Sequence, residues 1–191
     1  MTNPLLPGAP AYVSFSAQID PNTTESLIAA MAQCVAANVP EVHLLLSTPG
    51  GSVMNGLNLY NVLRALPLKL VTHNVGNVNS IGNAVFLAGE ERYACPHSTF
   101  MFHGVGFDVP QGTRFEEKNL REHLASVLAD QTRIASIIEE RTQLPPADIE
   151  AMFRDAQTKD ATYAVGAGIV DAIKDVQIPA GSPVLALVFQ R

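Results

Sequence analysis

Short apolar runs alternate with segments of helical period along the first half of this chain, and that order constrains its fold more than any single residue. Residues 12–16 alternate apolar with polar and predict a strand. Asp20 or Asn22 caps a helix predicted from about 23 to 37, with Leu27, Ile28, Met31 and Val35 on one face, and Pro40 ends it. The apolar run at 42–46 suits a central parallel strand. A glycine turn follows, then a helix at about 53–66 and a third strand at 69–73. Ser80 opens a short helix that runs to Gly89, and residues 93–95 and 99–103 read as further strands. Strand, helix, strand, helix, strand in this sequence predicts an α/β fold with crossover connections.

The second half is dominated by one long helix, predicted from about 115 to 141, in which Leu120, Leu124, Val127, Leu128, Ile134 and Ile138 recur at helical spacing. A helix of that length outreaches a small sheet, so part of it is expected to meet another subunit. A short helix at Pro145-Pro146-Ala147-Asp148 and one capped by Asp160 come next. Ile169-Val170 enters a strand, and residues 184–188 form a late strand after Pro183. This apolar tail is expected to cover a surface or to pair with a sheet edge. The Pro/Gly-rich start reads as a flexible leader over 1–11, with a single domain over 12–191.

Charged residues make up 16% of the 191, low for a chain of this size, which points to surface buried in a homo-oligomer. A net charge of −6, with no basic run, argues against nucleic acid as a partner. No uninterrupted apolar stretch is long enough for a bilayer, and no signal peptide opens the chain, so a cytoplasmic protein without a membrane partner is expected. Cys34 and Cys95 are isolated and read as small buried hydrophobes. The histidines lack zinc spacing, so neither a metal nor a cofactor is expected.

Three segments carry chemistry. In Val78-Asn79-Ser80-Ile81-Gly82 an apolar run ends and a small-residue helix starts at Ser80, a hydroxyl placed to act as a nucleophile, with the Ile81 N–H behind it as an oxyanion donor. In Thr48-Pro49-Gly50-Gly51-Ser52 a strand enters two glycines, a turn that exposes N–H groups to a substrate carbonyl. It lacks the Gly-Lys-Ser/Thr ending of a phosphate-binding loop. His103 closes a strand and suits a general base near neutral pH. The plain alternatives are a helix-capping serine, an ordinary turn and a structural histidine. His43, His73 and His97 read as structural residues near strands, and His123 as a helix-surface residue.

These segments, with Phe100-Met101-Phe102-His103 and Gly168-Ile169-Val170-Asp171, resemble the ClpP peptidases of the ClpP/crotonase fold, from Val13 to about Ile173. The resemblance implies repeated β-β-α or β-α units and a long oligomerisation helix. It implies a serine endopeptidase that cleaves peptides or unfolded chains through an acyl-enzyme inside stacked rings. Carried over by motif, Ser80 is the nucleophile, His103 the base, and Gly51 and Ile81 the oxyanion donors. An ungapped alignment puts Ala156 where the family has its aspartate. Asp155 beside it, Asp160, or no carboxylate completes the site. The short leader leaves partnership with an ATP-driven unfoldase open. Two other functions compete: a crotonase-like acyl-CoA enzyme, and an oligomeric scaffold that kept the fold and lost its triad.

Overall fold

The structure is a computed structural model that describes residues 4–189; residues 1–3 of the leader and 190–191 of the tail lie outside the described residues. The chain opens with β1 (Ala11–Ser16), α1 (Pro21–Ala36), β2 (Glu41–Thr48), α2 (Val53–Ala65) and β3 (Lys69–Asn79). Next come α3 (Gly82–Phe86), β4 (Glu91–Ala94), β5 (Thr99–Phe102), α4 (Glu117–Arg141) and α5 (Pro146–Asp155). It finishes with β6 (Gln157–Asp160), α6 (Ala161–Gly166), β7 (Ala172–Ile173) and β8 (Val184–Leu187). The strands make one sheet in the order β6-β5-β3-β2-β1-β8, with β4 beside β3 and β7 beside β4. Repeated β-α units and one long helix make this the expected α/β fold.

The parallel trio β1, β2 and β3 is joined by α1 and α2, the crossover that parallel neighbours require. Local chemistry sets where α1 starts. The Asp20 carboxylate accepts the Thr23 N–H at 2.9 Å, the Thr23 hydroxyl accepts the Asp20 N–H at 2.9 Å, and Pro21 opens the first turn. Phe15, Leu44, Leu46, Leu59, Phe86 and Phe100 are fully buried in the core, each contributing roughly 1.5–3 kcal/mol by leaving water. Phe86 meets Phe100 edge-on at 5.1 Å, which fixes α3 against β5.

Several boundaries differ from the sequence reading. Strand β3 runs on from His73 to Asn79, because side chains fasten a stretch that reads as a polar loop. Asn74 Nδ2 donates to the Thr99 carbonyl at 2.8 Å, and Asn77 Nδ2 donates to the Thr48 carbonyl at 3.2 Å. Helix α3 starts at Gly82, not Ser80, and His103 lies just past β5 rather than in it. The strand expected at Ile169-Val170 forms instead at Ala172–Ile173. Strand β6 was not foreseen: Gln157-Thr158-Lys159-Asp160 has no apolar alternation, and only its antiparallel pairing with β5 makes it a strand. Cys95 is half-buried rather than a core residue. Near the start, the Gly8 N–H donates to the Asn38 carbonyl at 3.2 Å, and Leu5 packs on the core. The late strand does take a sheet edge, pairing in parallel with β1.

Candidate active site

Ser80 sits between the end of β3 and the start of α3, with φ at 56°. A non-glycine residue in this left-handed region is uncommon, and the surroundings must hold it there. The Ser80 N–H donates to the Met101 carbonyl of β5 at 2.8 Å. Its own carbonyl accepts the Asn83 N–H at 3.1 Å and Asn83 Nδ2 at 3.0 Å. The same Nδ2 donates to the Met101 carbonyl at 2.9 Å. The turn is therefore fixed on both sides of the serine, leaving the side chain free to face a reactant.

The glycine turn packs directly against it. A Cβ on Gly50 would stand 2.7 Å from Ser80 Cβ and 2.8 Å from the Asn79 carbonyl oxygen, so only glycine lets the two loops approach. A Cβ on Gly51, with φ at 147°, would collide with the Ile19 carbonyl. Ile19 pins the turn from the far side: its N–H donates to the Gly50 carbonyl and its carbonyl accepts the Ser52 N–H, both at 2.8 Å. Among the described residues, neither the Gly51 N–H nor the Ile81 N–H donates to a backbone carbonyl. Free N–H donors on residues that line the same cavity as a serine are what oxyanion stabilisation needs.

Gly51, Ser80, Ile81 and His103 line one cavity of about 190 Å³, with Phe102, Val105 and Ile138 among its apolar walls. Ser80 and His103 make no hydrogen bond to each other among the described residues. Such contacts are often long before substrate arrives. The chain after His103 is held by α4 and α5: the Gly104 N–H donates to the Phe153 carbonyl at 2.8 Å, and the Val105 N–H to Gln131 Oε1 at 3.1 Å. A larger cavity of about 360 Å³ between α4 and α5 shares Phe153 but none of the predicted site residues.

The carboxylates lie elsewhere. Asp155 does not line the cavity. Its oxygens accept from Arg154 Nε at 3.0 Å and Nη2 at 3.2 Å, a grip that holds the carboxyl below the ordinary aspartate range. Asp160 caps α6, accepting the Tyr163 N–H at 2.8 Å, and pairs with Thr99 at the opposite end of β5 from His103. The β5–β6 ladder ends with Phe102 opposite Gln157, so His103 and Ala156 each lie one residue beyond its last pair. Ala156 has φ at 50° and a methyl side chain, which carries no hydrogen-bond acceptor.

Among the described residues, no group of three or more His, Cys, Asp or Glu side chains is arranged to hold a metal ion. Nor is any helix long and apolar enough to cross a membrane. Asn83 was missed as a site residue, because a lone amide inside Ile81-Gly82-Asn83-Ala84-Val85-Phe86 carries no signal until β5 is seen beside it.

A family model described as Clp protease matches residues 10–177 of the 191, from the start of the sheet through β7. That span holds the glycine turn, the Ser80 elbow and the strand before His103. With nearly its whole length matched, the chain belongs to the Clp protease family, serine peptidases that work through an acyl-enzyme.

Proposed function

We propose that this chain is a serine endopeptidase in which Ser80 is the nucleophile, His103 the general base, and the Gly51 and Ile81 N–H groups the oxyanion donors. The single observation that carries the reading is the convergence of these residues on one apolar-walled cavity. Ser80 Oγ attacks the peptide carbonyl as His103 takes its proton. The two amides stabilise the tetrahedral oxyanion, worth about 3–4 kcal/mol per donor in a dry site. His103 then returns the proton to the departing amine, leaving an ester on Ser80, and a water activated by His103 hydrolyses it.

Asp155 enters this scheme only if its loop shifts and its pair with Arg154 opens, so the reading rests on a Ser80–His103 dyad. The substrates are short peptides or unfolded chains. The working form is a homo-oligomer. Support comes from α4, where Leu120, Leu124 and Leu128 lie on one stripe and are 53%, 58% and 52% exposed. A contiguous apolar stripe of that kind suits a protein interface. The setting is the cytoplasm, in keeping with two free cysteines that are left unpaired.

A second reading has one observation in its favour. Ala156, one residue past the His103 end of the β5–β6 ladder, is what a scaffold that had lost its orienting carboxylate would carry. One experiment separates the two. A fluorophosphonate should label Ser80 in the assembled protein, and Ser80→Ala should abolish both labelling and hydrolysis of a fluorogenic peptide. Failure of the unaltered protein to react with either reagent would leave the scaffold standing.

A further inference from the structure

We infer that Asn83 is a positioning residue that sets the Ser80 hydroxyl against His103 by tying the nucleophile's turn to the strand that ends at the base. The inference rests on the peptidase reading above, and it starts from an anomaly in hydrogen bonding. Asn83 is 2% exposed, and its Oδ1 is buried without a partner. A buried amide that leaves its acceptor empty costs stability, so its donor must do something that a smaller side chain cannot.

Asn83 Nδ2 bridges two carbonyls from different elements, that of Ser80 at 3.0 Å and that of Met101 at 2.9 Å. Met101 lies in β5, two residues before His103. The amide orientation follows from the same contacts, since the flipped amide would press its oxygen against both carbonyl oxygens. The Met101 carbonyl also accepts the Ser80 N–H at 2.8 Å, so one β5 carbonyl holds the serine by its own backbone and again through Asn83. Among the described residues, no carboxylate hydrogen-bonds to or ion-pairs with the His103 imidazole. Its placement relative to Ser80 then depends on how firmly β5 is fastened to the elbow. Asn83 is that fastening.

Two variants separate the arms of the bridge. Asn83→Ala removes both donors and the orphaned oxygen together. Asn83→Ser keeps a hydroxyl three residues after Ser80, close enough to the Ser80 carbonyl within the helical turn but too short for Met101. If the bridge to β5 matters, both variants lower kcat about tenfold or more, leave KM within about twofold, and do not lower the unfolding midpoint. Both also speed hydrogen exchange at the Ser80 amide, with the rest of the sheet unchanged. That second readout does not need activity. If the unaltered protein cleaves nothing while Ser80 exchange still quickens in the variants, the peptidase reading fails and the positioning role stands. Unchanged exchange at Ser80, a normal kcat in Asn83→Ser, or a fall in kcat matched by a fall in midpoint each overturns the positioning role.

Discussion

At the level of single residues, Ala156, one position past the His103 end of the β5–β6 ladder, bears on the chemistry this site can reach. Ala156 holds a left-handed backbone, φ 50°, a region that aspartate and asparagine enter more readily than alanine. Ala156→Asp therefore adds a carboxylate at the His103 end of the β5–β6 ladder without adding backbone strain. Peptide hydrolysis should rise at least about tenfold in kcat, since an orienting carboxylate elsewhere contributes orders of magnitude, and the unfolding midpoint should hold or rise. Steady-state kinetics with a fluorogenic peptide checks it, and an unchanged rate would mean that the β6 register does not bring this residue to the imidazole. Asp155→Ala should change kcat by less than about twofold, because its carboxylate is exposed and engaged with Arg154. A large loss there would return Asp155 to the machinery. On the other flank, Gly50→Ala sets a methyl against Ser80 Cβ at a φ of 88°. It should cost about 1–3 kcal/mol in urea unfolding and remove hydrolysis.

Elements were legible where one period repeats over many residues. The helices α1 and α2, the apolar β2 and the long α4 follow from spacing alone, and Asp20 and Asp160 announce the caps they make. The glycine pair and the Ser80 turn were legible as a motif, because a tight backbone approach leaves few residue choices. What escaped depended on partners far along the chain. The second half of β3 is held by Asn74 and Asn77, and β6 exists only because β5 lies beside it. The bridge from Asn83 to Met101 belongs to the same class of long-range contact. Helix α4 carries its own test. Ile134, Ile137 and Ile138 are buried against the body, while Leu120, Leu124 and Leu128 face outward. Leu124→Glu should shift the protein toward smaller species in sedimentation velocity without changing its monomer fold. A sedimentation profile identical to the parent would show that this stripe is not the contact.

For the whole molecule, the sheet contains a polar seam whose protonation bears on global stability. Across β1 to β4, Tyr12 stacks on His43 at 4.8 Å, His43 lies 5.1 Å from His73, and His73 lies 5.5 Å from Tyr93. Glu41 accepts from His43 Nε2 at 2.8 Å, and His43 Nδ1 meets His73 Nε2 at 2.9 Å. With both rings neutral, His73 donates to His43 and His43 donates to Glu41, which leaves His73 Nδ1 as the buried, unpartnered atom. Lys69 bridges Glu41 at 3.0 Å and Glu91 at 2.6 Å, and Lys174 lies over the Tyr93 ring at 3.3 Å. Burial first, then the neighbouring His43 and Lys174, push His73 down to about 4. Between the usual histidine value near 6.5 and about 4, the unfolded chain binds a proton that the folded chain refuses. Stability is then full above about pH 6.5, falls as the solution is acidified, and levels off for this group below about pH 4, with a slope of at most ~1.4 kcal/mol per pH unit. Burial pushes Glu41 up, but Lys69 and His43 together hold it below the usual carboxylate range, and hydrogen bonds from Lys69 and Tyr93 hold Glu91 below it. Both add their own losses only at lower pH. Urea unfolding at half-unit steps from pH 7.5 to 4 should show this slope, and His73→Leu should flatten it whatever that change does to absolute stability. A parent curve already flat between pH 6.5 and 4.5 would mean that His73 takes up its proton equally in both states, and that the seam tolerates the charge.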